Sequence, residues 1–137
     1  MKIKKLTLKE EFYKPEFTVF GISSHAKAYV LCWNINKVLK ISFEKVQDQV
    51  IGQKMSFSRY NYISETGEQY DLIANRSKYG YLIPDKKSVN YFFVINSQKK
   101  AKNKEFMDKL NKNKEVLFIF ELDTEKSKYT ERFIFND

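Results

Sequence analysis

Residues 17–22 are apolar at every position except Thr18 and Gly21, a run that predicts a buried strand. Directly after it, Ala28, Leu31, Cys32, Ile35 and Leu39 recur at three- and four-residue spacing. That period predicts a helix to about Leu39, capped by the hydroxyl of Ser23 or Ser24. Strand-like segments follow at 42–51, 56–64, 69–75 and 79–83. The glycines of Glu65-Thr-Gly-Glu68 and Ser77-Lys-Tyr-Gly80 suit tight hairpins between them. Residues 89–96 are apolar on both alternating faces, as a central strand should be. A second helix is expected over 99–113, with Phe106, Met107 and Leu110 as a narrow stripe. A strongly apolar strand over 115–122 and a short last one over 129–135 complete the pattern. The sum is one α+β domain spanning 1–137, a largely antiparallel meandering sheet with two helices packed on one face.

Composition narrows the class. A hydrophobic share of 42% and an aromatic share of 16% exclude a disordered chain. No run approaches the roughly 18 apolar residues that span a bilayer, so no membrane partner is expected. The stretch Met1-Lys-Ile-Lys-Lys-Leu-Thr-Leu-Lys-Glu breaks its apolar positions with lysines, unlike the apolar core of a secretory signal. Cys32 is the one cysteine, so no internal disulfide forms, and a reducing, bacterial-type cytoplasm is the expected compartment.

The net charge of +8 points toward nucleic acid, but 22 of the 25 basic residues are lysine, where bidentate recognition favours arginine. Phe, Tyr, Ile, Asn and Lys make up 64 of the 137 residues, and A/T-rich codons specify all five. Genome composition alone can therefore supply both the basicity and the aromatics.

The strand–helix junction, Gly21-Ile-Ser-Ser-His-Ala-Lys27, concentrates chemistry-bearing residues. A nucleophile elbow needs Gly-x-Ser-x-Gly, but the fifth position is His25, and a lone histidine beside its serine makes no triad. The glycine-rich phosphate loop with Gly-Lys-Ser/Thr is absent. Two readings stay open. Ser23, Ser24, His25 and Lys27 can ring an anion at the first amides of the helix, or a serine simply caps it.

Residues 98–114 carry seven lysines against two acids. On one helix, Lys100, Lys102, Lys104, Lys109 and Lys112 would lie opposite Phe106 and Leu110, a surface able to track phosphates; the alternative is a solvated face. In Ser58-Arg-Tyr-Asn-Tyr-Ile-Ser64, alternation puts Tyr60 and Tyr62 on one strand face and Arg59 on the other. Those tyrosines can stack on unpaired bases or lie under a helix as core. His25 and Cys32 are too far apart to share a metal, no calcium loop is present, and no cofactor is called for. Cys32, on the apolar stripe, reads as an inert core thiol.

The segment Ile83-Pro-Asp-Lys-Lys-Ser-Val-Asn-Tyr91 resembles the signature of the IPExxxVDY family, small proteins of Bacteroidota. Residues 21–24 and Leu31-Cys-Trp-Asn-Ile-Asn36 also look like that family's first strand–helix unit. Ile83, Pro84, Val89 and Tyr91 match, while Asp85 replaces Glu and Asn90 replaces Asp. An amide at position 90 would disable any catalytic or metal-binding carboxylate there. The signature is therefore expected to be structural, with Pro84 ending a strand, Asp85 or Asn90 fixing a crossover turn and Tyr91 opening the next strand.

These readings converge on a cytoplasmic, non-enzymatic protein whose partner is another protein. RNA binding through the lysines and tyrosines stands second. Catalysis or anion binding at 21–27 stands last, because no nucleophile, base and orienting group assemble, and nothing indicates a homo-oligomer.

Overall fold

A computed structural model describes residues 16–135; the lysine-interrupted amino-terminal stretch lies outside them. Strand β1, Thr18–Ser23, leads to helix α1, Ala28–Leu39, whose buried side chains Leu31, Cys32 and Ile35 lie on the expected stripe. Three strands follow: β2, Glu44–Ile51; β3, Met55–Ile63; and β4, Gln69–Ala74. Gly52 and Gly67 turn the chain between them at φ of 66° and 86°, where a side chain would be strained. A two-residue hairpin, β5 (Arg76–Ser77) and β6 (Gly80–Tyr81), precedes a 3-10 turn at Pro84–Lys86 and strand β7, Tyr91–Ile95. Helices α2, Gln98–Ala101, and α3, Lys104–Asn111, lead to β8, Phe118–Glu121, and a 3-10 turn at Thr130–Phe133.

The main sheet runs β2-β3-β4-β7-β1-β8, and every neighbouring pair is antiparallel. It is the expected α+β architecture, with β2, β3 and β4 as a meander. The expected helix over 99–113 is two helices. Ser97 accepts a hydrogen bond from the Lys100 amide and Asn103 one from the Phe106 amide, so each starts its own helix.

Two other expectations fail for a related reason. The strand expected over 79–83 shrinks to β6, and that over 129–135 becomes a 3-10 turn. Side chains take the acceptors a strand would need. Gln49 donates to the Arg132 and Ile134 carbonyls, and Arg132 donates to the Leu82 carbonyl at 2.8 Å.

Strand β7 is buried on both faces, as its pattern predicts. Phe93 and Ile95 meet Leu31, Ile35 and Leu110 of the helices, while Phe92 and Val94 meet Leu82, Ile83, Val89 and Phe133 from coil. Helices thus cover one face and irregular chain the other. Gly21 pairs with Phe120, whose ring would stand 2.5 Å from any β-carbon placed there, so a larger residue would require the Phe120 ring to move.

The coil-covered face also buries charge. Arg59 on β3 donates to Asp71 on β4 at 2.7 Å, with both side chains at most 3% exposed. Asn61 and Gln69 donate to the same carboxylate, at 2.9 and 3.2 Å. Burial pushes the Asp71 carboxyl above its usual range, and the bonds from Asn61, Arg59 and Gln69 oppose that push. Cys32 is buried, and desolvation raises its thiol to about 12, which keeps it protonated and unreactive. Asp71→Ala removes the acceptor that three donors share. It should lower unfolding stability by about 3–5 kcal/mol, read as a lower urea midpoint at unchanged slope.

Candidate functional site

At the end of β1 the chain does not enter a helix at once. The Ser24 amide donates to Asn90 Oδ1 at 2.8 Å, and the Ser24 hydroxyl accepts from the Ala26 amide at 3.1 Å. Helix α1 opens three residues later, with Lys27 at its N-cap and no side-chain capping bond. Serine capping of this helix is therefore overturned: Ser24 closes the turn that precedes it. Ser23 points its hydroxyl to the Ser88 carbonyl at 3.3 Å.

The partners of this turn lie in the signature segment. The Asn90 amide donates to the Ile22 carbonyl at 3.0 Å, and the Tyr91 hydroxyl donates to the Ala26 carbonyl at 2.7 Å. Burial, foremost, holds the Tyr91 phenol above its ordinary value, so it stays a donor. Asn90 does the backbone-bonding work expected of it, but across the sheet to β1 rather than within its own turn. Pro84 opens a 3-10 turn instead of ending a strand, and Asp85 sits exposed in that turn. The segment is no crossover, because β4 and β7 are adjacent and antiparallel. Residues 75–90 are an enlarged hairpin connection folded over the coil-covered face.

Asn75 shapes that connection. Wholly buried, it accepts from the Ile83 amide at 2.9 Å and donates to the Lys86 and Val89 carbonyls at 2.8 and 2.9 Å. Its own amide donates to the Asn90 carbonyl and its carbonyl accepts from Leu82. One side chain thus sets the path of three loop positions.

Between the β1–α1 turn and this connection lies a polar cleft of about 400 Å³. Ser24, His25 and Ala26 of the turn line it together with Arg76, Tyr81, Lys87 and Asn90 of the connection and Tyr91 of β7. Three of the lining side chains are basic and none is a carboxylate. The Lys87 ammonium lies 5.7 Å from the Tyr81 ring centroid. Of the four junction residues expected to hold an anion, Ser24 and His25 line the cleft, whereas Ser23 and Lys27 do not. No group of three or more metal-ligating side chains occurs among the described residues.

The residues expected to hold RNA are not brought together as one surface. Tyr60 and Tyr62 pack partly buried against the helix-covered core, and Tyr62 lies 5.8 Å from Tyr70. Lys100 places its ammonium 6.0 Å from the Phe106 ring, and Lys102 sits in the break between helices. Lys104, Lys109 and Lys112 share a shallow depression with Glu105 and Asp108, and Lys109 lies 3.6 Å from the Glu105 carboxylate.

Sequence reasoning missed Arg76, Tyr81 and Lys87, which no local pattern links to residue 24. It also missed Tyr29 and Trp33, legible only as an i, i+4 aromatic pair lying off the apolar stripe of α1.

No protein-family model matches the chain, and no curated protein matches it.

Two substitutions test the site's construction. Asn75→Ala strands the Ile83 amide and the Lys86 and Val89 carbonyls, and should cost about 3 kcal/mol of unfolding free energy. Asn90→Asp keeps an acceptor for the Ser24 amide. By thermal melting it should therefore match the parent within about 0.5 kcal/mol, while Asn90→Ala loses about 1 kcal/mol.

Proposed function

We propose that the chain works by binding a partner protein, without catalysis, through the outer face of α1. The observation that carries this reading is an exposed aromatic pair: Tyr29 is 62% and Trp33 60% exposed. They stand one helical turn apart, on the side away from Leu31, Cys32 and Ile35. The Lys37 ammonium lies 4.7 Å from the Trp33 ring centroid and extends the ridge by a further turn. Tryptophan and tyrosine are the residues most enriched among those that dominate interface energies. Two large rings exposed side by side on one helix face are the kind of surface a partner protein buries, and this supports the reading.

Cytoplasmic location and membership of the IPExxxVDY family belong to the same proposal. Support for the second lies in the signature's matching positions, each of which has a structural task. Ile83 and Val89 are buried, Pro84 opens the 3-10 turn and Tyr91 holds Ala26. No helix among the described residues is long and apolar enough to cross a membrane.

The test is a tagged pull-down from the host, nuclease-treated, comparing the parent with a Tyr29→Ala/Trp33→Ala variant. A stoichiometric protein should survive nuclease on the parent and bind the variant about 30-fold more weakly, as expected when interface residues worth about 2 kcal/mol are lost. The variant should melt within a degree or two of the parent, because the replaced rings are outside the core. Bound material that disappears with nuclease would instead favour RNA and the lysines of α2 and α3.

A further inference from the structure

We propose that the cleft between the β1–α1 turn and the 75–90 connection is a binding site for a small dianion carrying a phosphate group. Three observations carry this, and none depends on the α1 ridge, since neither Tyr29 nor Trp33 lines the cleft.

The first is the use of arginine. The chain has only three. Arg59 is committed to Asp71, and Arg132 to the Leu82 carbonyl and the face of Tyr129, 4.6 Å from its ring centroid. Arg76 is committed to neither kind of structural task and lines the cleft. Where lysine is abundant through composition alone, an arginine set in a concave site is the more informative cation, because its planar fork matches phosphate oxygens.

The second is pre-arrangement. Arg76 and Tyr81 face each other as a cross-strand pair of the β5–β6 hairpin, and Lys87 lies beside the same tyrosine ring. The three belong to the connection that the buried Asn75 amide holds, so the backbone that carries the two exposed cations is held in place. Asn90 has its Oδ1 committed to the Ser24 amide, which leaves the NH₂ end of its side chain as a donor on the cleft wall.

The third is charge balance. His25, Arg76 and Lys87 line the cleft with no carboxylate among its walls, and no described carboxylate forms an ion pair with Arg76 or Lys87. A volume of about 400 Å³ leaves room for a small phosphate-bearing ligand. The amides of the first turn of α1 are not part of its lining, so the site is one of side chains, not of a helix dipole.

Amide-detected NMR titration at constant ionic strength tests the assignment, with inorganic phosphate in one arm and glycerol 3-phosphate in the other. Saturable shifts should centre on Ser24, Ala26 and Asn90. They should weaken at least tenfold in Arg76→Gln/Lys87→Gln, but hold in Lys104→Gln/Lys112→Gln, which loses the same charge elsewhere. Tighter binding of glycerol 3-phosphate identifies the ligand as an organic phosphate monoester, and equal or weaker binding identifies it as free phosphate. Shifts that never saturate, or that weaken equally in both double variants, would overturn the site. Unchanged melting of both variants separates loss of binding from loss of fold.

Discussion

The side-chain amide of Asn75 is the interaction on which the rest of the site depends. A sixteen-residue connection between two adjacent antiparallel strands has no ladder of its own, and here only four of its residues form a hairpin. Its backbone groups must still be satisfied where they are buried, because an orphaned buried donor or acceptor costs about 1–3 kcal/mol. Asparagine can accept and donate from one planar group. At position 75 it answers Ile83, Lys86 and Val89 together, 0% exposed. With those positions held, Leu82, Ile83 and Val89 cover the sheet, and Asn90 and Tyr91 come within bonding distance of the β1–α1 turn.

The two faces of the sheet solve the same burial problem by different means. On one, regular helices present an apolar stripe, and their backbone is satisfied internally. On the other, coil supplies the cover, so side chains must satisfy backbone: Asn75, Gln49 and Arg132 all bond to main-chain carbonyls there. Polar residues are accordingly frequent in this second layer, including the Arg59–Asp71 pair. The connection, part short hairpin and part coil, brings Arg76 and Lys87 to the lining of one cleft.

Basicity in this protein divides into two kinds. Lysines on α3 alternate with Glu105 and Asp108 and spread over solvent, consistent with a charge set by composition. Charge in the cleft is sparse, mixed in type and unopposed by carboxylate. The tyrosines and tryptophan singled out above divide in the same way. Tyr60 and Tyr62 are partly buried against the core, whereas Tyr29 and Trp33 project from a helix whose other side is already packed.

Much of the fold was legible in the pattern. Strand β7 announced its central place by being apolar on both faces, α1 by its spacing from Ala28 to Leu39, and the hairpins at 67 and 80 by their glycines. Element type follows from period, and period is local. The exceptions were places where a side chain competes with the backbone. Asn103 split a helix, Arg132 and Gln49 held a would-be strand off the ladder, and Ser24 turned the chain before α1 rather than capping it. The candidate site was legible only as two separate oddities, the 21–27 junction and the 83–91 signature. The sequence by itself determined which segments are strands and helices and that Asn90 could serve as a bonding amide but not as a carboxylate. Only the tertiary structure decided that Ser24 and Asn90, 66 residues apart, share a hydrogen bond and that Arg76, Lys87 and His25 line one cleft. That meeting depends on β7 lying beside β1, and strand order is set by how all the faces pack together, which no local run of residues encodes.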